Sequence, residues 1–415
     1  MANLLFLSQR TPYPPNKGDK IRALKIFEHL RQWYDIHLGC LVDDPADWDQ
    51  RGTLAAMCAD SHFAKLDRGR AKRTCLRGLL TGTALSVEFF RDAGLAAWIA
   101  RVRDQVKPDA IFVYSSNMAP YILDRRDPGQ LRVVDLVDVD SEKWRAYGET
   151  GRGPMRWIYR REWRLISALE RRIATECDAG TFVSADEARL FNRLVPEAAS
   201  RTHAISNGVD PDFFDPSRAY PPPFDTDPAD PARADFVFTG TMDYAPNVDA
   251  VAWFAQDILP VIRRTLPGAR FHIVGHSPTD GVKRLAGTPG VFVTGRVDDV
   301  RPYIAHATAA VAPMRIARGI QNKVLEAMAM ARPVVATTDA LEGVEAQRGT
   351  EVLQADDVAG FAALCCRAAS PDFAAPIGVA ARRRVLADYI WAERLRGFDP
   401  LFGVSAPSAQ TGTIG

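Results

Sequence analysis

Short apolar runs, each followed by a helical pattern, recur along the whole chain, and this alternation constrains the fold more than any other feature. In the first half the runs are Leu4 to Ser8, Ile36 to Val42, Ala110 to Tyr114, Arg132 to Val137 and Thr181 to Ser184. In the second half they are Phe236 to Thr239, Arg270 to Gly275, Val291 to Gly295, Ala309 to Ala312 and Val334 to Thr337. Such alternation predicts an α/β fold with mainly parallel, doubly wound sheets, whose ligands sit beyond the carboxyl ends of the strands. Three runs of the second half end in glycine, at Gly240, Gly275 and Gly295. Glycine leaves bare backbone at those ends, where a nucleotide can come close.

At 415 residues the chain is too long for one typical core, so two domains are expected. The boundary falls where prolines crowd, from Pro211 to Pro231, among several aspartates. This gives an N-terminal Rossmann-like domain at 1–207, a linker at 208–234 and a C-terminal Rossmann-like domain at 235–385. A helix over 386–402 is expected to cross back to the N-terminal domain, with a small, polar, disordered tail at 403–415. A formal net charge of +1 argues against a general nucleic-acid binder. Six scattered cysteines form no CxxC or Cys/His spacing, which fits a reducing compartment and predicts no metal site of that kind. The start MANLLFLSQRTP lacks the pattern of a signal peptide, and no run approaches the ~20 apolar residues of a membrane span. A cytoplasmic protein is expected. From Met155 to Ile173 an apolar stripe (Met155, Ile158, Tyr159, Trp163, Ile166, Leu169, Ile173) runs beside six arginines. That pattern suits a surface helix packed on its own sheet, and also a helix lying on the cytoplasmic face of a membrane.

The chemistry concentrates in APMRIARGIQNKVLEAMAMARPVVATT, Ala312 to Thr338. Arg315, Arg318 and Lys323 lie in a stretch without acids, ahead of a helix expected at Lys323 to Met330. Cations and the unsatisfied amides of a helix start compensate a diphosphate, and Gly319 lets backbone approach it. Glu326 is the lone ionisable residue of the helix after Lys323, so its carboxylate needs a partner. Two ribose hydroxyls would serve; so would an ion pair with Lys323 at i, i+3. In the first half, Asn16-Lys17-Gly18-Asp19 follows the first strand and can hold a phosphate oxygen, or simply close a turn. Asp135, Asp138 and Asp140 cluster after the fourth strand of that half. Asp138-Val139-Asp140 has the form of a metal-binding DxD, but the stretch shows too few ligands, and Asp138 is read as orienting a hydroxyl. Asp140 and Ser141 also suit a helix N-cap.

With these residues in view, the second half resembles the donor domain of retaining GT-B glycosyltransferases of the family 4 type, from Gly240 to about Val358. The likeness is carried by FTGTMDYAPNVDAVAWF, FHIVG, VFVTGRVDDV and QNKVLEAMAMARPVVAT. The first half resembles the acceptor domain through PYPPNKGDKIRALKIFEHL and Asn207-Gly208-Val209-Asp210. With DLVDVDSEKW, the whole pattern is similar to sugar transferases of bacterial exopolysaccharide and exosortase systems. The resemblance implies two Rossmann-like domains facing a central cleft, a nucleoside diphosphate sugar as co-substrate, no required metal or other cofactor, and a glycan or lipid-linked acceptor. Glu326 matches the second glutamate of the family's E-x7-E motif, which binds the donor ribose; the first falls at Arg318. Gly240-Thr241-Met242-Asp243 lacks the family's basic pair, and the family's cleft histidine is missing near Asp138.

The expected site therefore joins Asp138, Arg315 and Lys323 as catalytic residues. Gly18, Gly240, Thr241, Gly295, Arg296, Arg318, Gly319, Asn322, Val324, Leu325 and Glu326 are expected around the donor, and Asn16, Lys17 and Asp19 on the acceptor side. A scaffold that binds nucleotide sugars without transfer, or an epimerase on the same fold, stays open, because Arg318 stands where the motif has an acid.

Overall fold

The computed structural model describes residues 1–224, 233–317 and 319–404, and the chain divides into two compact units. The first holds Met1–Ser206 and the chain from Leu395; the second is Asn207–Arg394.

The first unit is built on seven parallel strands: β1 (Ala2–Ser8), β2 (Tyr34–Val42), β3 (Asp60–Lys65), β4 (Ala110–Tyr114), β5 (Leu131–Val137), β6 (Ala179–Phe182) and β7 (Thr202–Ala204). Their spatial order is β3-β2-β1-β4-β5-β6-β7. In the second unit β8 (Arg233–Thr239), β9 (Gly268–Val274), β10 (Val291–Gly295), β11 (Ala309–Ala312), β12 (Val334–Ala336) and β13 (Leu353–Gln354) lie in the order β10-β9-β8-β11-β12-β13. Both are the doubly wound order, in which the direction of winding reverses between the first and fourth strands. Both are wholly parallel, with helical crossovers that bury the inner strands, while the edge strands β3, β7 and β10 stay partly open. This is the GT-B fold of two Rossmann-like domains.

Three strands carry no apolar run. Edge or near-edge strands β3 (DSHFAK), β7 (THA) and the two-residue β13 are built by pairing with a neighbour rather than by their own hydrophobicity. The run Thr181 to Ser184 pairs earlier than its pattern indicates, as Ala179–Phe182, because Ser184 instead caps the Ala185–Leu194 helix by accepting from the amide of Glu187. The helix expected over 386–402 is not continuous. The Pro371–Asp388 helix ends there, Ile390 bridges to Val209, and short turns follow at Trp391–Leu395 and Asp399–Phe402. The last of these packs on the first unit: His29 bonds Asp399 at 2.7 Å, Tyr34 donates to the carbonyl of Phe402, and Phe112 meets Phe398 edge-on and Phe402 at a tilt.

The beginning of the stretch expected as a linker contributes to the second unit's core. Val209 and Phe214 are buried there, and a side chain at Gly208 would strike the backbone of Trp391 at 2.6 Å. Residues 225–232 of that stretch, and 405–415 of the expected tail, lie outside the described residues.

In the first unit, one ion pair ties the Gly18–Leu30 helix to the sheet. The fully buried Arg22 donates from Nε to Asp135 Oδ2 at 2.7 Å, and Thr181 donates to Asp135 Oδ1 at 2.8 Å. Removing one partner of a buried pair strands the other charge in a low-dielectric interior. Arg22→Ala is expected to cost about 3–5 kcal/mol, read as a lower urea midpoint for the first unit's transition; a loss under about 1 kcal/mol would contradict this account.

Candidate functional site

In the second unit, the glycine ends of β8, β9 and β10 form a close backbone platform. The amide of Gly240 donates to Val274 O at 3.0 Å and that of Gly275 to Gly295 O at 3.2 Å. A Cβ on Gly275 would lie 1.6 Å from the carbonyl oxygen of Gly240, so only glycine permits this approach. Gly295 has φ +69°, and the space its side chain would fill is open.

The Asn322–Ala329 helix begins one residue before the expected start and presses Val324, Leu325, Ala327 and Met328 into the core. Val324 and Leu325 are thus core residues by their side chains, which leaves only their backbone to take part in a site. Lys323 reaches away from its own helix. Its Nζ donates to Asn247 Oδ1 at 3.0 Å and Gln321 Oε1 at 3.4 Å, and sits 4.7 Å above the Phe238 ring. Asn247 in turn donates to Thr241 O at 2.9 Å, and Thr241 Oγ1 bonds His276 Nε2 at 3.1 Å. A polar chain thus runs from Lys323 to the end of β9.

Glu326, half-buried one turn along, makes no side-chain hydrogen bond among the described residues. Burial raises its carboxyl to about 7, with Lys323 opposing, and burial lowers Lys323 to about 8, with Glu326 opposing. The ion-pair reading for Glu326 is therefore only electrostatic, because the lysine's hydrogen bonds go to Asn247 and Gln321.

Arg315 does not stand free. Its segment contains no acid, but Asp249 of the Ala245–Trp253 helix accepts from it at 3.0 Å (Nε) and 2.5 Å (Nη2), and Trp253 lies beneath the guanidinium. Asn322 accepts from Asn207 at 3.0 Å. Gly319 is buried with φ +64°. Arg296 is exposed and bonds to no described residue. Arg318 lies outside the described residues.

The structure brings Gly240, Thr241, Gly295, Lys323 and Glu326 to the carboxyl ends of the second sheet. Asn247, His276 and Gln321 complete this set and were not anticipated. Asn247 had a signal: it sits in the first turn of the helix that follows the glycine end of β8. His276 directly follows the glycine that ends β9.

In the first unit, Gly18 opens the Gly18–Leu30 helix, with Lys17 extended ahead of it. Asp19 accepts from Arg10 at 2.7 Å, and Asn16 Oδ1 accepts from Lys20, whose Nζ is paired with Asp47 at 2.6 Å. Lys20, not Lys17, is the buried cation of that loop. The three aspartates after β5 have separate fates. Asp135 is taken by Arg22 and Thr181, while Asp140 accepts from Ser116 Oγ at 2.9 Å and begins the Asp140–Thr150 helix. Neither Asp140 nor Ser141 caps that helix with its side chain; Val139 occupies the cap position.

Asp138 has a buried Oδ1 without a partner among the described residues. Burial raises its carboxyl to about 6, and Glu187 and Asp140 add to the rise against Lys143 and Arg22. Its backbone is held on both sides. Val137 has φ +70°, a conformation a β-branched residue adopts only under constraint. Glu187 accepts from the Val139 amide at 2.7 Å and Glu170 from the Ser141 amide at 3.0 Å.

Residues 233–370 match the family described as Glycosyl transferases group 1. No curated protein matches the chain. Solved structures with the same fold include a sucrose-phosphate synthase from Thermosynechococcus elongatus, 17% identical, TM-score 0.69, over 97% of this chain and 98% of that one. Anabaena HepE in complex with UDP-glucose is 14% identical, TM-score 0.65, over 97% and 100%. WaaG, a glycosyltransferase involved in lipopolysaccharide biosynthesis, is 13% identical, TM-score 0.64, over 96% and 100%.

Glu326 carries a pH signature. Burial pushes its carboxyl from the ordinary value of 4.5 up to about 7, so between these values the folded chain holds more protons and stability falls as pH rises. Glu326→Gln is expected to remove that fall. Above about pH 7 the variant should be more stable than the parent by roughly 1–2 kcal/mol, allowing for the half-exposed site and the lost counter-charge of Lys323. Near pH 4 the two should unfold alike in urea. Parallel pH profiles would contradict the burial of this charge.

Proposed function

We propose that this chain transfers a glycosyl group from a nucleoside diphosphate sugar to a glycan or lipid-linked acceptor, with retention, in the assembly of a bacterial surface or exopolysaccharide. The carrying observation is Glu326: a half-buried carboxylate with no hydrogen-bond partner among the described residues, beside Lys323 and in the unit with three glycine strand ends. The match over residues 233–370 and the GT-B fold support the reading, as does a relative of the same fold that binds UDP-glucose.

Each residue then has a task. Glu326 accepts hydrogen bonds from two ribose hydroxyls, which supply the partners the protein withholds. Gly240 and Gly295 let the diphosphate approach backbone, and Lys323 with the amides of the Asn322–Ala329 helix compensates its charge. Arg296, exposed and uncommitted, adds a cation from the end of β10. Arg315 contributes only by giving up its bond to Asp249. The bond that breaks joins the anomeric carbon to the diphosphate oxygen, so stabilising that oxygen as it gains charge is the main catalytic contribution. On the acceptor side Asp138 orients a hydroxyl, with Asn16, Lys17, Gly18 and Asp19 in the first loop. The leaving phosphate, not an enzymic carboxylate, takes the acceptor proton, and no metal is required.

Incubation with a panel of UDP- and GDP-sugars, scored for nucleotide release with membrane extract as acceptor, tests this. Release that persists in EDTA is expected. Failure of every donor to bind at millimolar concentration would overturn the proposal, and binding without release would favour a scaffold. Hydrogen bonds to a charged group contribute about 1.5–3 kcal/mol, so Glu326→Ala is expected to weaken donor binding at least about tenfold by calorimetry with an unchanged circular dichroism spectrum.

A further inference from the structure

The Gly153–Glu176 helix reads differently once it is seen folded. Ile166, Leu169 and Ile173, from the stripe that suggested a membrane face, are buried in the first unit's core. That part of the helix is unavailable to anything outside.

The opposite face is the exposed one. Trp157 is 61% exposed, and Arg160, Arg161 and Arg164 follow it at i+3, i+4 and i+7, the spacing of a single helical face. Arg161 turns back and donates to the carbonyls of Gly78 and Thr83, the latter at 3.0 Å. Glu162 accepts from the amides of Leu85 and Ser86. The bond to Gly78 ties the Arg77–Thr81 helix to the Gly153–Glu176 helix one turn after Trp157, and Glu162 ties the start of the following Leu85–Phe89 helix.

That short helix brings its own exposed hydrophobics. Leu80 is 91% exposed and Leu76 57%. Around them, Lys72, Arg73, Arg77, Arg152, Arg160 and Arg164 are exposed and bond by their side chains to no described residue. From Arg68 to Thr81 the sequence RGRAKRTCLRGLLT contains no acid, and the one acid in the first three turns of the Gly153–Glu176 helix, Glu162, is buried. The chain as a whole is nearly neutral, so this concentration of positive charge is local.

We propose that this face of the first unit, built from the Arg77–Thr81 helix and the start of the Gly153–Glu176 helix, seats on an anionic lipid bilayer. Charge complementarity selects the partner: cations at the surface of an anionic leaflet, with Trp157, Leu76 and Leu80 entering the headgroup boundary. Contact is with the surface only, for among the described residues no helix is long and apolar enough to cross a membrane. A binder of polyanions alone would have no use for a leucine and a tryptophan so exposed on elements that carry these cations. The proposal is independent of the transfer reading, since it involves none of the residues given a task there.

Cosedimentation of the full chain with vesicles tests it, using phosphatidylcholine alone or mixed equally with phosphatidylglycerol. Binding to the mixed vesicles alone, weakened by added salt, is expected. Each cation near such a surface contributes about fivefold to partitioning. The triple substitution Arg73→Gln, Arg77→Gln, Arg160→Gln should therefore lower it by about 10- to 100-fold. The pair Leu80→Ser and Trp157→Ser, at exposed positions that leave the core intact, should lower it at least about tenfold. Absence of binding, or equal binding to both vesicle types, would overturn the proposal. So would a Leu80→Ser, Trp157→Ser variant that binds like the parent while the charge variant does not, because that result describes a polyanion site.

Discussion

Charge withdrawn from water at the carboxyl ends of buried parallel strands is the constraint on which the rest of this molecule depends. Parallel strands covered on both faces leave little room for ionised groups, and those present must find partners or shift their titration. Asp135, at the end of β5, is fully buried and fully occupied by Arg22 and Thr181. Glu326, behind the end of β11, is less buried and has only the field of Lys323. The same kind of group, a carboxylate withdrawn from water, thus has two outcomes. A carboxylate whose acceptor sites are filled holds helix to sheet, whereas one whose sites are empty is a place where something else can bind.

How much of this could be read beforehand depended on whether a residue's partner was close in sequence. The strands of the inner sheet positions announced themselves by mainly apolar runs, because burial on both faces admits a charged residue only where it is paired, as Asp135 is with Arg22 and Asp235 with His272. β3, β7 and β13 did not, since edge pairing is supplied by the neighbouring strand and leaves no pattern in the paired segment. Glu326 was visible for the opposite reason: an acid inside an apolar helix is conspicuous wherever its partner lies. Arg315 shows the limit. No acid stands near it in the sequence, yet Asp249, 66 positions earlier, bonds it through Nε and Nη2. The bond from Lys323 to Asn247 spans 76 positions and was hidden likewise, although the place of Asn247 after the glycine end of β8 was readable.

The Gly153–Glu176 helix was legible in extent and misleading in orientation. Its apolar stripe correctly marked a buried face, but the stripe runs past the end of the core, and Met155 at its start is exposed. A period in sequence identifies a face; only the packed neighbours say how far along the helix that face stays covered. The buried Glu162 and its bonds to Leu85 and Ser86 carry the same lesson, because a charge in an arginine-rich helix would ordinarily be assigned to solvent.

Asp138 extends the contrast between filled and unfilled carboxylates to the first unit. Its buried Oδ1 is unpartnered among the described residues, as the carboxylate of Glu326 is, but its surroundings differ in kind. Glu326 sits on a regular helix with a cation one turn away. Asp138 sits on a backbone turned by the positive φ of Val137 and fastened through the neighbouring amides by Glu187 and Glu170. Burial pushes Glu170 itself up to about 8, so near neutral pH it holds its proton and adds no full negative charge of its own to the segment. Strain that persists in a folded chain is held by what surrounds it, and here the holders are identifiable as two carboxyl groups on two different helices. A segment fixed in this way, with one acceptor oxygen left over, is more constrained than a turn that merely joins β5 to the next helix, and it is on this geometry that the acceptor-side role proposed for Asp138 rests.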